Sequence, residues 1–186
     1  MKNFDDLYNK HEGSPAVILG SGPSLLDDIL DIPVDAILIS VNARPMELLP
    51  CDYAVYLDKN EGDRVREYPV KKLSPHSGSD YTFPDHIWDG GFSSTSAVYL
   101  ACHLGCNPVI LMGMDLYQGD IEYFDGNKGD KRIAFGRNST PPIENHIAAW
   151  KKALSYCPGA DRIRANSGPL IEVFGKYERE ELVIGS

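Results

Sequence analysis

The segment Gly20-Ser21-Gly22-Pro23-Ser24 stands between the apolar run Ala16-Val17-Ile18-Leu19 and a stretch in which Leu25, Leu26, Ile29 and Leu30 recur at helical spacing. A tight turn from strand to helix aims backbone N–H groups and the positive end of the helix dipole at one point, a chemistry suited to an anion such as phosphate. The turn lacks the lysine of a P-loop and the third glycine of a dinucleotide fingerprint, so by itself it names no nucleotide. Its glycines serve equally the backbone freedom of a tight turn. Asp27 and Asp28 fall in the first helical turn and read as dipole-stabilising residues, not as catalysts. Further polar residues end other apolar runs: Asn42, Asp58, and Asp115 with Tyr117. Taken singly, each is an ordinary turn-forming residue.

Positioning these residues requires strands. Ala36–Val41 and Tyr53–Leu57 read as buried strands after the first, and Val109–Met112 as another, closed by Gly113 and Asp115. Ser93 to Leu104 reads as a helix with a Ser/Thr-rich start and Gly105 as its stop. Ile143 to Leu154 is an amphipathic helix, Ile163 lies in a short strand, and Ser167-Gly168-Pro169 opens a final short helix through Phe174. Strands that are apolar throughout, alternating with helices, imply a parallel sheet covered on both faces, so the expected fold is a Rossmann-like α/β domain spanning 1–186. In such sheets ligands gather at the carboxyl ends of the strands. Gly20, Ser21, Gly22, Pro23 and Ser24, Asn42, Asp58, and Asp115 with Tyr117 therefore form one expected rim. From Gln118 to Pro142 the pattern dissolves into Gly, Asp, Asn, Lys and paired prolines, and the span between Tyr117 and His146 reads as a mobile lid.

Composition sets the outer bounds. With 186 residues the chain fits one domain of roughly the usual 150 residues plus insertions. A hydrophobic fraction of 42% and a charged fraction of 24% describe a chain that folds around a core. A net charge of −9 argues against a nucleic-acid partner, because such affinity rests on Lys and Arg displacing counterions. The N-terminus carries Asp5 and Asp6 where a signal peptide needs basic residues, and His103, Gly105, Asn107 and Pro108 interrupt the apolar stretch from Val98 to Met114, so the expectation is a cytoplasmic protein without a membrane helix. Cys102-His103-x-x-Cys106 offers half of a zinc site with no second pair of metal-site spacing elsewhere, and the expected reading is buried reduced thiols. His11 precedes the first strand and reads as exposed; His76, His86 and His103 have no better context.

Gly113-Met114-Asp115-Leu116-Tyr117-Gln118, with Tyr123 six positions after Tyr117, resembles the bacterial CMP-sialic acid sialyltransferases of glycosyltransferase family 42. The likeness extends to Gly20-Ser21-Gly22-Pro23-Ser24-Leu25, Val41-Asn42, Ser93 through Ala101, Leu104-Gly105, Val109–Met112 and Ala165-Asn166-Ser167, with Asp58 near a family asparagine. It covers nearly the whole chain. The resemblance implies an inverting transferase that moves a nonulosonic acid from a CMP donor to a glycan hydroxyl without a metal. It further implies that Ser21, Gly22 and Asn42 contact the nucleotide, that Ser93 or Ser94 meets the donor, and that Tyr117 and Tyr123 hydrogen-bond the leaving phosphate. Two neutral phenol donors suit that task, since they stabilise charge on a phosphate oxygen where a cation is lacking. Aromatic packing within the lid is the plainer use of the pair. His146 falls near the family's catalytic histidine, which implies a base for the acceptor hydroxyl; a helix-surface histidine is the alternative.

Two family features have no counterpart. Gly90-Gly91-Phe92 stands where the family has an arginine ahead of the Ser-rich helix, and Thr140-Pro141-Pro142 where it has a tyrosine before its histidine. Arg44, Arg132 and Arg137 are alternative sources of positive charge among which spacing does not choose. The glycine-proline-serine turn and the Gly-x-Asp strand end are also similar to a wider superfamily of motility-associated flagellin-modification proteins and 6-hydroxymethylpterin diphosphokinases. The diphosphokinase alternative uses ATP and magnesium, with Asp58 and Asp115 as carboxylate ligands. A non-catalytic nucleotide-binding domain is a third reading. A homo-oligomer is compatible with a small transferase, though no pattern marks an interface.

Overall fold

The computed structural model describes residues 2–84, 87, 91–117, 120–131 and 139–179. Six strands, β1 (Ala16–Leu19), β2 (Ile37–Val41), β3 (Tyr53–Val55), β4 (Lys71–Leu73), β5 (Val109–Met112) and β6 (Ile163–Ala165), form one sheet in the order β4-β3-β2-β1-β5-β6. Every pairing is parallel, with Leu19 opposite Ser40 on one side and Met112 on the other. β1 thus lies between β2 and β5, and the order of strands reverses there. This is the topological switch at which parallel sheets leave a crevice.

Both faces of the sheet are covered, which is why its central strands are apolar throughout. Ala16 and Ile18 of β1, with Val109 and Leu111 of β5, face α3 (Ser93–His103) and Trp150 of α4 (Ile143–Ala153). Val17, Leu19, Ile110 and Met112 face the opposite way, onto Leu25 of α1 (Leu25–Asp28). Ala54 of β3 and Val65 of α2 (Lys59–Val65) extend that second face towards the β4 edge. A fully buried Ile or Leu contributes about 1.5–3 kcal/mol, so the two layers fix the register that aligns the strand ends.

α3 stops where expected. Gly105 takes φ +80°, the left-handed value that ends a helix, and donates its N–H to Cys102. The first helix is shorter than its pattern suggests. It gives way after Asp28 to a single tighter turn, Ile29–Asp31, and leaves Leu26 and Leu30 exposed, because Asp28 turns inward at the end of α1. β4 and α2 carry too few apolar residues to show as elements in the sequence. A short α5 (Ile171–Phe174) follows β6.

Three histidine and cysteine expectations resolve into packing. His11 is not merely exposed: its Nε2 lies 2.9 Å from the Tyr53 hydroxyl. His103 stacks on Phe4 at a centroid distance of 4.1 Å and its Nε2 lies 3.1 Å from the Phe4 carbonyl oxygen. Cys102 and Cys106 are buried thiols. Among the described residues no three His, Cys, Asp or Glu side chains converge as a metal would require, and no helix is long and apolar enough to cross a membrane. His86 lies outside the described residues, as do Arg132 and Arg137.

Candidate active site

The carboxyl ends of β1, β2, β3 and β5 open onto a cleft of about 340 Å³. Gly20, Ser21, Asn42, Asp58, Ser93, Ser94, Asp115, Tyr117 and His146 all line it, so residues scattered across the chain meet in one place. Gly22 and Ser24 lie behind Asp115. Tyr123 is not part of the wall; its ring meets that of Tyr117 edge-on, with centroids 6.1 Å apart.

The first turn is glycine-dependent for steric reasons. A Cβ at Gly20 would stand 2.4 Å from the Gly113 carbonyl oxygen, and one at Gly22 would stand 1.9 Å from Asp115 Oδ2. Gly20 N–H donates to Met112 and Gly22 N–H to Gly113, so the turn is knitted directly to the end of β5. The Ser24 hydroxyl and backbone N–H both donate to Asp115 Oδ2, at 2.9 and 3.2 Å. Burial pushes the Asp115 carboxyl above its ordinary pKa and nearby Asp28 adds to this, while the two bonds from Ser24 oppose it.

Asp28 is a buried hub and not a surface dipole residue. Its Oδ2 accepts from Gly113 N–H at 2.8 Å, from the Ser167 hydroxyl at 2.7 Å and from the Ser24 hydroxyl at 3.2 Å, and its Oδ1 accepts from Asn166 Nδ2 at 3.0 Å. Three chain segments that follow β1, β5 and β6 are thereby tied to one carboxylate. The sequence signal was weak, since an Asp in a first helical turn has a sufficient local explanation.

Asn42 ends β2 with φ +64°, a left-handed value that Asn tolerates better than most residues. Its Oδ1 is buried without a hydrogen-bond partner among the described residues, on a residue that lines the cleft. Leu116 and Tyr117 also have positive φ, +54° and +48°. Two consecutive non-glycine residues in this region cost about 1–3 kcal/mol each, a kind of strain that clusters at functional sites.

α3 enters with its N-terminus on the cleft. Ser93 Oγ accepts from Leu57 N–H at 3.1 Å, joining α3 to the end of β3, and Thr95 Oγ1 accepts from Phe92 N–H at 2.9 Å. Ser93 and Ser94 stand at the positive end of an eleven-residue helix, where an anion is favoured. Asp58 begins α2 on the neighbouring wall. His146, in the first half of α4, is 8% exposed and lines the cleft, so it does not lie on the outer surface of its helix. Trp150 lines the same wall, and its spacing of four from His146 is the sequence signal that could have found it.

Of the expected lid, 118–119 and 132–138 lie outside the described residues. Within the described part, 121–129 form a hairpin held by backbone bonds. Tyr123 N–H donates to Asn127, Gly129 N–H donates to the buried Ile121, and Phe124 N–H donates to the Ser21 carbonyl at 3.0 Å. Arg44, two residues past Asn42, pairs with Asp125 and stacks over the Tyr123 ring at 4.1 Å. Burial pushes the Tyr117 phenol well above its usual range, with Tyr123 adding to this and the Arg44 charge opposing it. The phenol is therefore a hydrogen-bond donor at neutral pH.

Fold and cleft together define a Rossmann-like α/β protein with a pocket of mixed polar and apolar lining at the switch point of its sheet. No protein-family model matches the sequence, and no curated protein matches it. Solved structures do match. The sialyltransferase CstII in complex with a trisaccharide acceptor and CMP aligns with a TM-score of 0.56 at 16% identity, covering 89% of this chain and 87% of that one. CstII from Campylobacter jejuni in complex with cytidine-5'-monophosphate aligns at 0.55 and 14%, covering 93% and 88%. The monofunctional alpha-2,3-sialyltransferase Cst-I of the same organism aligns at 0.57 and 16%, covering 90% and 81%. At these identities the likeness establishes the fold.

Proposed function

We propose that this chain is a sialyltransferase-like glycosyltransferase that moves a nonulosonic acid from a CMP donor to a glycan hydroxyl, with inversion and without a metal. The observation that carries this reading is the meeting of Tyr117 and Tyr123 beside a cleft that also holds Gly20 and Ser21 of the first turn, Asn42 and His146. The fold is shared with sialyltransferases whose structures hold CMP, which supports the choice of nucleotide.

On this reading the walls divide the work. Asn42 Oδ1 accepts from a ribose hydroxyl or a base amino group, and the Gly20–Ser21 turn approaches the nucleotide by its backbone. The α3 N-terminus takes one anionic group of the donor. As the bond from the anomeric carbon to the phosphate oxygen breaks, its electron pair stays on that oxygen, and the Tyr117 and Tyr123 phenols donate to it more strongly as charge develops. The acceptor oxygen bonds to the same carbon from the opposite face, and its proton passes to His146. Attack from the opposite face inverts the centre.

Incubating the purified chain with a CMP-activated nonulosonic acid, a neutral oligosaccharide and a chelator tests this. CMP release coupled to a glycoside of inverted configuration, read by NMR, is the expected result. A product of retained configuration, or a reaction abolished by the chelator, overturns it.

A further inference from the structure

The donor class just proposed carries two anionic groups, a phosphodiester and a sugar carboxylate, yet the described cleft wall contains Asp58 and Asp115 and no Lys or Arg. One helix N-terminus faces that wall. A second source of positive charge is needed if both anions are to be held against two carboxylates.

We propose that Arg44 receives one anionic group of the donor, exchanging for it the carboxylate of Asp125. This inference rests on the transferase reading. Arg44 opens the short turn Arg44–Glu47 directly after Asn42, and its side chain is 19% exposed. One guanidinium face lies over Tyr123, whose ring meets that of Tyr117 on the cleft wall. Of its five N–H donors, the only bond among the described residues runs from Nη1 to Asp125. The rest of a planar fork suited to phosphate or carboxylate is available at its edge.

Asp125 is built to let go. Its Oδ1 accepts from Asn127 N–H at 3.0 Å and its Oδ2 from Asn127 Nδ2 at 2.8 Å, so two partners remain when Arg44 leaves. At 22% exposure water reaches it as well. The field of Arg44 already extends to the Tyr117 phenol. An anion drawn to Arg44 therefore arrives beside the Tyr123 ring and its edge-on partner Tyr117.

The two roles open to Arg44, anion receptor or clasp for the hairpin, make opposite demands on Asp125. Calorimetric titration of the full chain and of R44A, R44K and D125N, with CMP and separately with a CMP-activated nonulosonic acid, separates them. R44A is expected to weaken binding at least ~tenfold, R44K to recover part of the loss, and D125N to tighten binding. A loss already present with CMP places the phosphate on Arg44; a loss confined to the intact donor places the sugar carboxylate there. Parallel weakening in R44A and D125N makes the pair a clasp and overturns the proposal, as does unchanged affinity in R44A. Should the unaltered chain bind ATP with magnesium and not CMP, the transferase reading falls and the same variants with ATP judge Arg44 by the same signs. A chain that binds neither overturns both.

Discussion

The hydroxyl of Ser24 lies 2.9 Å from the carboxylate of Asp115, joining the turn after β1 to the end of β5 across the topological switch of the sheet. Gly22 is pressed between them, since any side chain there would begin 1.9 Å from Asp115 Oδ2. Gly22→Ala is therefore expected to displace the Asp115 carboxylate and to reduce CMP affinity by at least ~tenfold, while the core that sets the sheet stays intact. Comparing titration with thermal unfolding checks this: unchanged affinity would mean that the turn does not approach the nucleotide.

Asp28 gives the corresponding stability prediction. Asp28→Ala leaves the buried Gly113 N–H and the half-buried Ser167 hydroxyl without this acceptor, and Asn166 Nδ2 with Asp31 alone. A loss of about 3 kcal/mol in denaturant unfolding is expected, since each buried group left unsatisfied costs about 1–3 kcal/mol. A change under 1 kcal/mol, roughly that of an ordinary exposed site, would show that the hub is dispensable.

The tyrosine pair should act on turnover and not on binding. In the double variant Tyr117→Phe with Tyr123→Phe, kcat is expected to fall by two orders of magnitude or more, about the effect of removing a donor to a developing oxyanion, with little change in donor affinity. Equal losses in both would assign the phenols to ground-state binding.

His146→Ala should abolish transfer to an acceptor and leave CMP binding intact, because the residue reaches the cleft from α4 and not from the strand ends. Transfer at the unaltered rate removes it as the base.

The raised pKa of Tyr117 has its own readout. Its folded value lies above the ordinary phenol value of about 10, so its contribution to stability is full below that pH and is lost as pH rises towards the folded value. Phenolate absorbance of the native chain should lose part of its late-titrating component in Tyr117→Phe. Loss of a component that titrates at the ordinary phenol value of about 10 would instead place the phenol in water.

Much of this site was legible because burial on two faces leaves an unmistakable trace. β1, β2 and β5 are apolar runs, and what ends each of them, the first turn, Asn42 and Asp115, must lie on one edge of a parallel sheet. Where burial is one-sided or the element is short, the trace fades: β4 is Lys71-Lys72-Leu73 at the sheet edge, with only Leu73 buried. The hairpin around Tyr123 is held by backbone bonds to Asn127 and Ser21, which composition does not encode, so polar residues there read as an open loop. Asp28 and Arg44 show the same blindness at the level of side chains. Each has an adequate local reading, and only the partners brought by the fold, Ser167 and Gly113 for one, Tyr123 and Asp125 for the other, reveal its place.

The most direct test of the central claim is calorimetric titration of the purified chain with CMP and with ATP, each with and without magnesium. Saturable one-site CMP binding that is indifferent to magnesium and is weakened by Gly22→Ala is expected. Magnesium-dependent binding of ATP with no response to CMP would contradict it and assign the cleft to phosphoryl transfer.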